Sequence, residues 1–308
     1  MLLKKGYEVF GISRSPELPL SYRPYDSNSR NFHFLQLGSN FDTDEVVSIC
    51  KTKKITKIIN FVAQSMVGQS WDEPQDWYET NCVWLAKLTK SLLSMDNLEC
   101  FLHFSTPEVY GSTLGWTKEQ FRFNPSTPYA ISRAAGDQHL QVLHDLKGFP
   151  VVFTRAANIY GPFQPRYRIV PKTILSALNK QRLKLDGGGN SERSFIFADD
   201  VSKALEAILD KKFIGNTYHI STNQTVTIRK LVEEILGILG VEFDSIVDLV
   251  ADRPGKDTAY LLDSGKLRSD TGWSDTTGLT EGLNKTIAWA KSHLNSLLRL
   301  PAEYIHRS

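Results

Sequence analysis

Short β-branched and aromatic runs alternate with stretches of helical periodicity through the first half of the chain. The runs Tyr7–Ser13, Phe32–Leu37, Lys57–Val62, Cys100–Ser105 and Val151–Arg155 read as strands. Between them, Thr43–Lys53, Pro74–Met95 and Pro128–Leu146 place apolar residues three and four positions apart, the spacing of an amphipathic helix. Strand and helix in strict alternation predict a doubly wound α/β fold, a parallel sheet whose crossovers are the helices. The last two helices are long. Four such faces from two subunits pack as a helical bundle, so a homodimer is expected.

Beyond residue 160 the elements shorten. Helices are predicted at Ile169–Lys180, Asp200–Asp210, Thr227–Leu239 and Thr280–Leu298, with short strands near Lys184, Phe195, Tyr218 and Val247. No internal repeat or low-complexity linker separates the halves. The pattern predicts a dinucleotide-binding domain over residues 1–160 and a smaller α/β substrate lobe over residues 161–308, with part of the sheet shared. Met1–Gly6 reads as the last turn of a helix closed by a glycine cap, and a strand follows at once. A doubly wound nucleotide fold begins with a strand and a glycine-rich turn before that helix. Roughly twenty residues carrying them are therefore expected upstream, and no Gly-x-x-Gly-x-x-Gly occurs in the chain.

Composition narrows the function classes. With 308 residues and 41% apolar content the chain can bury a large core. Its 36 basic and 34 acidic residues leave a net charge of +2, which makes no electrostatic case for nucleic acid or a membrane surface. No apolar run approaches the ~20 residues of a membrane span and no signal peptide opens the chain, so a cytoplasmic protein is expected. Cys50, Cys82 and Cys100 sit in apolar contexts and read as buried reduced thiols. The seven histidines show no ligand spacing and no Cys-x-x-Cys occurs, so no metal site is expected. Ala198-Asp199-Asp200-Val201 opens a helix, and capping is the expected job of those carboxylates.

Chemistry concentrates in two segments. Ser105-Thr106-Pro107-Glu108-Val109-Tyr110-Gly111 closes a predicted strand, and Pro128-Tyr129-Ala130-Ile131-Ser132-Arg133 opens the next helix. A hydroxyl at the C-terminal end of a parallel strand faces the ligand crevice, and a tyrosine in the following helix's first turn reaches the same place. The residue four further on shares its face. Ser-Thr-x-Glu-Val-Tyr-Gly followed by Tyr-x-x-x-Lys resembles the active-site pattern of the extended short-chain dehydrogenase/reductases, closest to the nucleoside-diphosphate-sugar 4,6-dehydratases that act on dTDP-glucose and GDP-mannose. The resemblance runs from Gly6 to about His293. It implies a Rossmann-like fold, a bound NAD(P), an NDP-hexose substrate and a 4-keto-6-deoxy sugar product.

Carried over residue by residue, the resemblance makes Thr106 the partner of the sugar 4-hydroxyl, Tyr129 its base and Glu108 the base at C5. Arg133 stands where the pattern has lysine; it keeps the charge that stabilises a phenolate and bonds a ribose, but a planar fork is not a point ammonium. Pro107 stands where an aspartate or serine is found and offers no proton for the leaving water. Asn60-Phe61-Val62-Ala63-Gln64-Ser65-Met66-Val67 resembles a strand end that lies along nicotinamide and sugar, with Ala63 and Gln64 toward the cofactor and Ser65 toward the substrate. Asn81 matches a helix asparagine that orders the site, and an asparagine inside a helix implies a bonding job. Asn158, Arg193 and Arg253 would bind the substrate diphosphate, the two arginines by bidentate charge-assisted bonds. Ser13-Arg14 ends the first strand without a carboxylate for ribose hydroxyls, which leans the cofactor toward NADP. Two alternatives stay open: an NDP-sugar epimerase or reductase of the same fold, and a non-catalytic nucleotide-sugar-binding relative.

Overall fold

The computed structural model describes all residues except 20, 21, 24, 26–28, 39–41, 114, 212, 252–258 and 307–308. In chain order the strands are β1 (Val9–Ser13), β2 (Phe32–Gln36), β3 (Lys57–Asn60), β4 (Cys100–Phe104), β5 (Trp116–Thr117), β6 (Val151–Ala156) and β7 (Asn158–Tyr160). They continue as β8 (Leu183–Asp186), β9 (Glu192–Arg193), β10 (Phe195–Phe197), β11 (Thr217–Ile220), β12 (Val226–Thr227), β13 (Val247–Val250) and β14 (Leu261–Leu262). The helices are α1 (Thr43–Thr52), α2 (Pro74–Tyr78), α3 (Leu85–Leu92), α4 (Pro128–Lys147), α5 (Ile169–Leu178) and α6 (Ala198–Lys211). After these come α7 (Ile228–Leu239), α8 (Phe243–Ile246), α9 (Gly265–Thr271), α10 (Leu279–Ser292) and α11 (Leu294–Leu298). The chain forms two compact units. Met1–Val109, Thr127–Arg155 and Ser202–Tyr218 make the first; Tyr110–Ser126, Ala156–Val201 and His219–Ser308 make the second.

The first unit holds the parallel sheet. β4 is its spine, pairing with β3 from Lys57↔Cys100 to Asn60↔His103 and with β6 from Phe101↔Val151 to Phe104↔Thr154. β11 lies beyond β6. β6 is buried along its whole length and β4 at four of five positions, as expected of strands covered on both faces. β1 and β2 form a separate parallel pair in register Val9↔Phe32 to Ser13↔Gln36. Gly6 caps the opening turn with φ 81°, as the sequence predicts. Helix α4 begins at an N-cap, where Thr127 Oγ1 accepts from Ala130 N at 3.1 Å, with Pro128 in the first turn; Gly148 ends it in the left-handed region, φ 66°.

The helix predicted over Pro74–Met95 is interrupted. Residues Glu79–Trp84 form a π turn between α2 and α3, and buried Asn81 sits in it. Its side chain bonds the segment after β3 instead of solvent, and π turns of this kind recur at functional sites. Helix α4 closes on this turn at Gly136, where an added Cβ would lie 2.8 Å from the Asn81 carbonyl oxygen. A glycine inside a 20-residue helix costs about 1 kcal/mol relative to alanine; close approach explains its presence.

The second unit is built from short paired strands and helices. β7 runs parallel to β10 with Asn158↔Phe195, β8 parallel to β13, β5 parallel to β14, and β9 antiparallel to β12 with Val226↔Arg193. Leu183, Leu185, Val232, Leu236, Ile246 and Val247 form one of its apolar clusters. The predicted terminal helix breaks at His293 (φ −115°, ψ 14°), whose Nδ1 lies 2.9 Å from the Trp289 carbonyl. Asp200 corrects the capping expectation. Its carboxylate accepts from Thr276 N (3.1 Å), Thr276 Oγ1 (2.8 Å) and Thr277 N (2.8 Å), so it anchors a distant loop.

Candidate active site

The sheet ends in a bonded knot. Ser105, immediately after β4, donates its hydroxyl to Asp137 Oδ2 at 2.7 Å, one helical turn past Arg133 on α4. Asn81 Oδ1 accepts from Gln64 N (2.9 Å) while its Nδ2 donates to Gln64 O (3.0 Å) and to Ser132 Oγ (2.9 Å). One carboxamide thus holds the segment after β3 and the first turns of α4, which is the bonding job its sequence position implies. Arg133 is buried and donates through Nη2 to the Phe104 carbonyl and through Nη1, at 3.5 Å, to the Val62 carbonyl. Its fork spans the ends of β3 and β4.

Thr106, Glu108 and Tyr129 ride on this frame. Thr106 is buried, and its Oγ1 accepts from Glu108 N at 3.3 Å across the turn Pro107–Tyr110. The glutamate's backbone is thereby set by the hydroxyl two residues before it. Glu108 itself is half-buried, and Tyr129 is 7% exposed at the second position of α4. The helix repeat brings Arg133 beneath Tyr129, about 5–6 Å away between Cβ atoms.

The charges behind the site are unequal. Asp137 Oδ2 also pairs with Arg155 Nη2 at 2.7 Å, both side chains fully buried. Burial alone raises a carboxyl, but Arg155, His103 and Arg133 together hold Asp137 well below the usual carboxylate range. Burial, with Arg133 and Arg155, pushes His103 below the ordinary histidine value against the pull of Asp137, so its ring is neutral. Its Nδ1 lies 3.2 Å from Asn60 Nδ2; its Nε2 lies 3.4 Å from Asp137 Oδ1 and 3.3 Å from Arg133 Nη2. A neutral imidazole accepts at one nitrogen only. We assign the proton to Nε2, facing Asp137 Oδ1, which has no other partner, and the lone pair to Nδ1, facing Asn60. The knot then holds two guanidiniums and one carboxylate, and among the described residues no carboxylate forms an ion pair with Arg133.

The remaining predicted residues divide. Ser13 ends β1 and Arg14 follows it; Ser13 Oγ accepts from Ser15 N (3.1 Å) and the Arg14 carbonyl accepts from Gln36 Nε2 (3.2 Å). Gln64 is buried, Ala63 half-buried and Ser65 exposed. In the second unit Asn158 opens β7 and Arg193 lies in β9, and the two meet through a residue the motif reading passed over. Tyr260 donates its phenol to Asn158 Oδ1 at 3.1 Å, and the Arg193 guanidinium lies 4.2 Å from the centre of its ring. No spacing in one sequence marks Tyr260, because its partners are 102 and 67 positions away. Arg253 lies outside the described residues. Cys82, expected buried, is half-buried and donates Sγ–H to the Ser132 carbonyl at 3.2 Å.

A family profile described as GDP-mannose 4,6 dehydratase matches residues 1–286. The chain belongs to this family. Human dTDP-D-glucose 4,6-dehydratase is 32% identical over 276 residues, covering 88% of this chain and 78% of that protein. A trifunctional UDP-glucose 4,6-dehydratase/UDP-4-keto-6-deoxy-D-glucose 3,5-epimerase/UDP-4-keto-L-rhamnose-reductase from Arabidopsis thaliana is 32% identical over 267 residues, 85% of this chain. The chain spans 40% of the length of that plant protein. Among solved structures, the dTDP-glucose 4,6-dehydratase DesIV of Streptomyces venezuelae, with NAD bound, has a TM-score of 0.86 at 28% identity, covering 96% of this chain and 92% of DesIV. UDP-glucuronic acid 4-epimerase of Bacillus cereus has a TM-score of 0.83 at 22% identity, a likeness of fold alone. The expected resemblance and the Rossmann-like α/β class both stand in this 4,6-dehydratase family.

Proposed function

We propose that this chain is an NDP-sugar 4,6-dehydratase, with Thr106, Glu108, Tyr129 and Arg133 as its catalytic set. One observation carries the reading. A buried guanidinium without an ion-pair partner lies one helical turn past Tyr129 on the same helix, which supports the phenol as the base for the 4-hydroxyl proton. Thr106 bonds that same hydroxyl. Glu108, held by the Thr106 turn, takes the C5 proton once a 4-ketone has acidified it. With proline at 107, the proton for the departing C6 hydroxyl comes from Glu108 or from water.

Whether these residues suit a nicotinamide depends on which end is considered. Arg133 Nε is a buried donor with no partner, and with Tyr129, Ala63 and Gln64 it fits the nicotinamide-ribose end. Among the described residues no glycine-rich strand-to-helix turn supplies a diphosphate cradle. A nicotinamide bound there would supply the hydride acceptor for oxidation at C4. DesIV holds NAD; Arg14 at the end of β1 supports a lean to NADP.

Asn158 and Arg193, with Arg253, take the substrate diphosphate; residues 161–308 supply most of the substrate lobe, and residues 1–160 the dinucleotide-binding domain. The exposed apolar side chains Val83, Ile131, Val142 and Leu146 on the two long helical segments support a homodimer through those faces. No described helix is long and apolar enough to cross a membrane. Free Cys50, Cys82 and Cys100 suit a reducing compartment such as the cytoplasm. The deciding test is turnover of dTDP-, UDP- and GDP-hexoses in deuterated water. Wild type should incorporate label at C5, and Glu108→Gln should reduce cofactor yet incorporate none. Product formed by Glu108→Gln at the normal rate would remove the C5 base, and epimerised product without C5 label would make the chain a 4-epimerase.

A further inference from the structure

We propose that Tyr260 is a positioning residue that fixes both anion donors of the second unit at once, and so sets the affinity for a nucleoside diphosphate. The inference rests on the reading above, in which Asn158 and Arg193 take the diphosphate, and adds a residue that the family pattern did not single out. Three observations meet at one phenol. Its O–H donates to Asn158 Oδ1 at 3.1 Å. Its ring carries the Arg193 guanidinium 4.2 Å from the centroid. Its backbone neighbour Ala259 bridges to Glu192, next to Arg193 in sequence.

Each contact removes a wrong alternative. A free carboxamide presents oxygen or NH2 with equal ease, and oxygen toward a phosphate is repulsive. With Oδ1 occupied by the phenol, Asn158 offers only Nδ2, which has no partner among the described residues. Arg193 is 7% exposed and its Nη1 donates to its own neighbour's carbonyl, Glu192 O, at 2.7 Å. Stacking occupies the face of the guanidinium, while its donors all lie in the rim, where an anion is met edge-on. A positive charge beside an amide donor, both turned by one ring, suits two linked phosphates better than a neutral sugar.

The test is titration calorimetry of the full chain with dTDP, UDP and GDP, backed by kcat and KM for the matching NDP-glucose. Tyr260→Phe keeps the ring and loses the hydroxyl; it should weaken diphosphate binding about fivefold and raise KM more than it lowers kcat. Tyr260→Ala loses both contacts and should weaken binding about thirtyfold. Adding Tyr260→Phe to Asn158→Ala should cost nothing further, because the role proposed for the hydroxyl is to orient Asn158. Unchanged affinity in Tyr260→Phe, a variant that should fold whatever happens to the alanine, would overturn the proposal and leave the dehydratase reading intact. So would losses that simply add in the double variant. Failure of wild type to bind any of the three nucleotides would overturn both together.

Discussion

The two candidate sites are built on opposite principles. In the first unit, Ser105, Asn81, Ser132, Arg133 and Asp137 are all buried, and their bonds tie two strand ends to one helix. In the second, Asn158 and Tyr260 are half-buried on strands or strand ends two or three residues long, and one phenol joins their group. Proton transfer requires donor and acceptor within hydrogen-bond reach and aligned, so its residues need a frame that does not yield. An anion is held by charge, which falls off slowly with distance, and tolerates a looser frame.

That contrast makes its sharpest claim at Tyr129. Tyr129→Phe should lower turnover about a thousandfold, the scale of a lost acid–base group, while dTDP, UDP or GDP binding stays within twofold. Turnover within tenfold of wild type would remove the phenol from the chemistry. Next in size is the knot itself. Asp137→Asn leaves Arg155 buried without its carboxylate and should destabilise the protein by about 3–5 kcal/mol in urea denaturation. Asn158→Ala should cost less than about 1 kcal/mol of stability. Equal losses would mean the second unit's site is as rigidly framed as the first. Arg133→Lys is a smaller probe. One ammonium cannot span the Phe104 and Val62 carbonyls, so stability should fall by about 1–2 kcal/mol. The retained charge should keep turnover well above that of Arg133→Met.

The same contrast governs what the sequence disclosed. β1–β4 and β6 were legible as short β-branched and aromatic runs between helical patterns, with ends within one or two residues of those observed, although only β4 and β6 are buried along most of their length. The candidate active-site turn was legible because Thr106, Glu108, Tyr129 and Arg133 lie in two short segments of fixed spacing. Asn81 was visible as a polar residue inside a helical pattern, although the π turn around it was not, since periodicity cannot register one inserted residue. Less of the second unit was legible. Strands of two residues such as β5, β9 and β12 carry no periodicity, and Tyr260 acquires meaning only when residues 158, 193 and 260 meet. Asp200 misled for the opposite reason: a carboxylate at a helix start has a sufficient local explanation, so nothing local points to Thr276.

The mildest effect is a pH dependence that the knot should impose. Burial holds the folded His103 ring below its ordinary value, so the folded protein refuses a proton that the unfolded chain accepts near pH 6.5. Stability should therefore be level above that pH and fall below it, by up to about 1.4 kcal/mol per pH unit for each such histidine. His139, lowered by its own burial, adds to the slope. Asp137 acts later. Its folded carboxyl is held below the unfolded value, so its contribution is complete above about pH 4 and is lost as the pH falls through the folded value. Urea denaturation at pH 7.5, 6.5 and 5.5 separates the two, because Asp137 stays ionised throughout that window; Glu119, raised by its burial, opposes the histidine slope and is common to wild type and variant. His103→Asn should flatten the slope between pH 6.5 and 5.5 without abolishing it, leaving the share of His139. A slope as steep as wild type would mean that folded His103 takes up the proton. The protonated ring would then carry a second N–H at Nδ1, facing the Asn60 Nδ2 donor, and the frame beneath Tyr129 would have to rearrange.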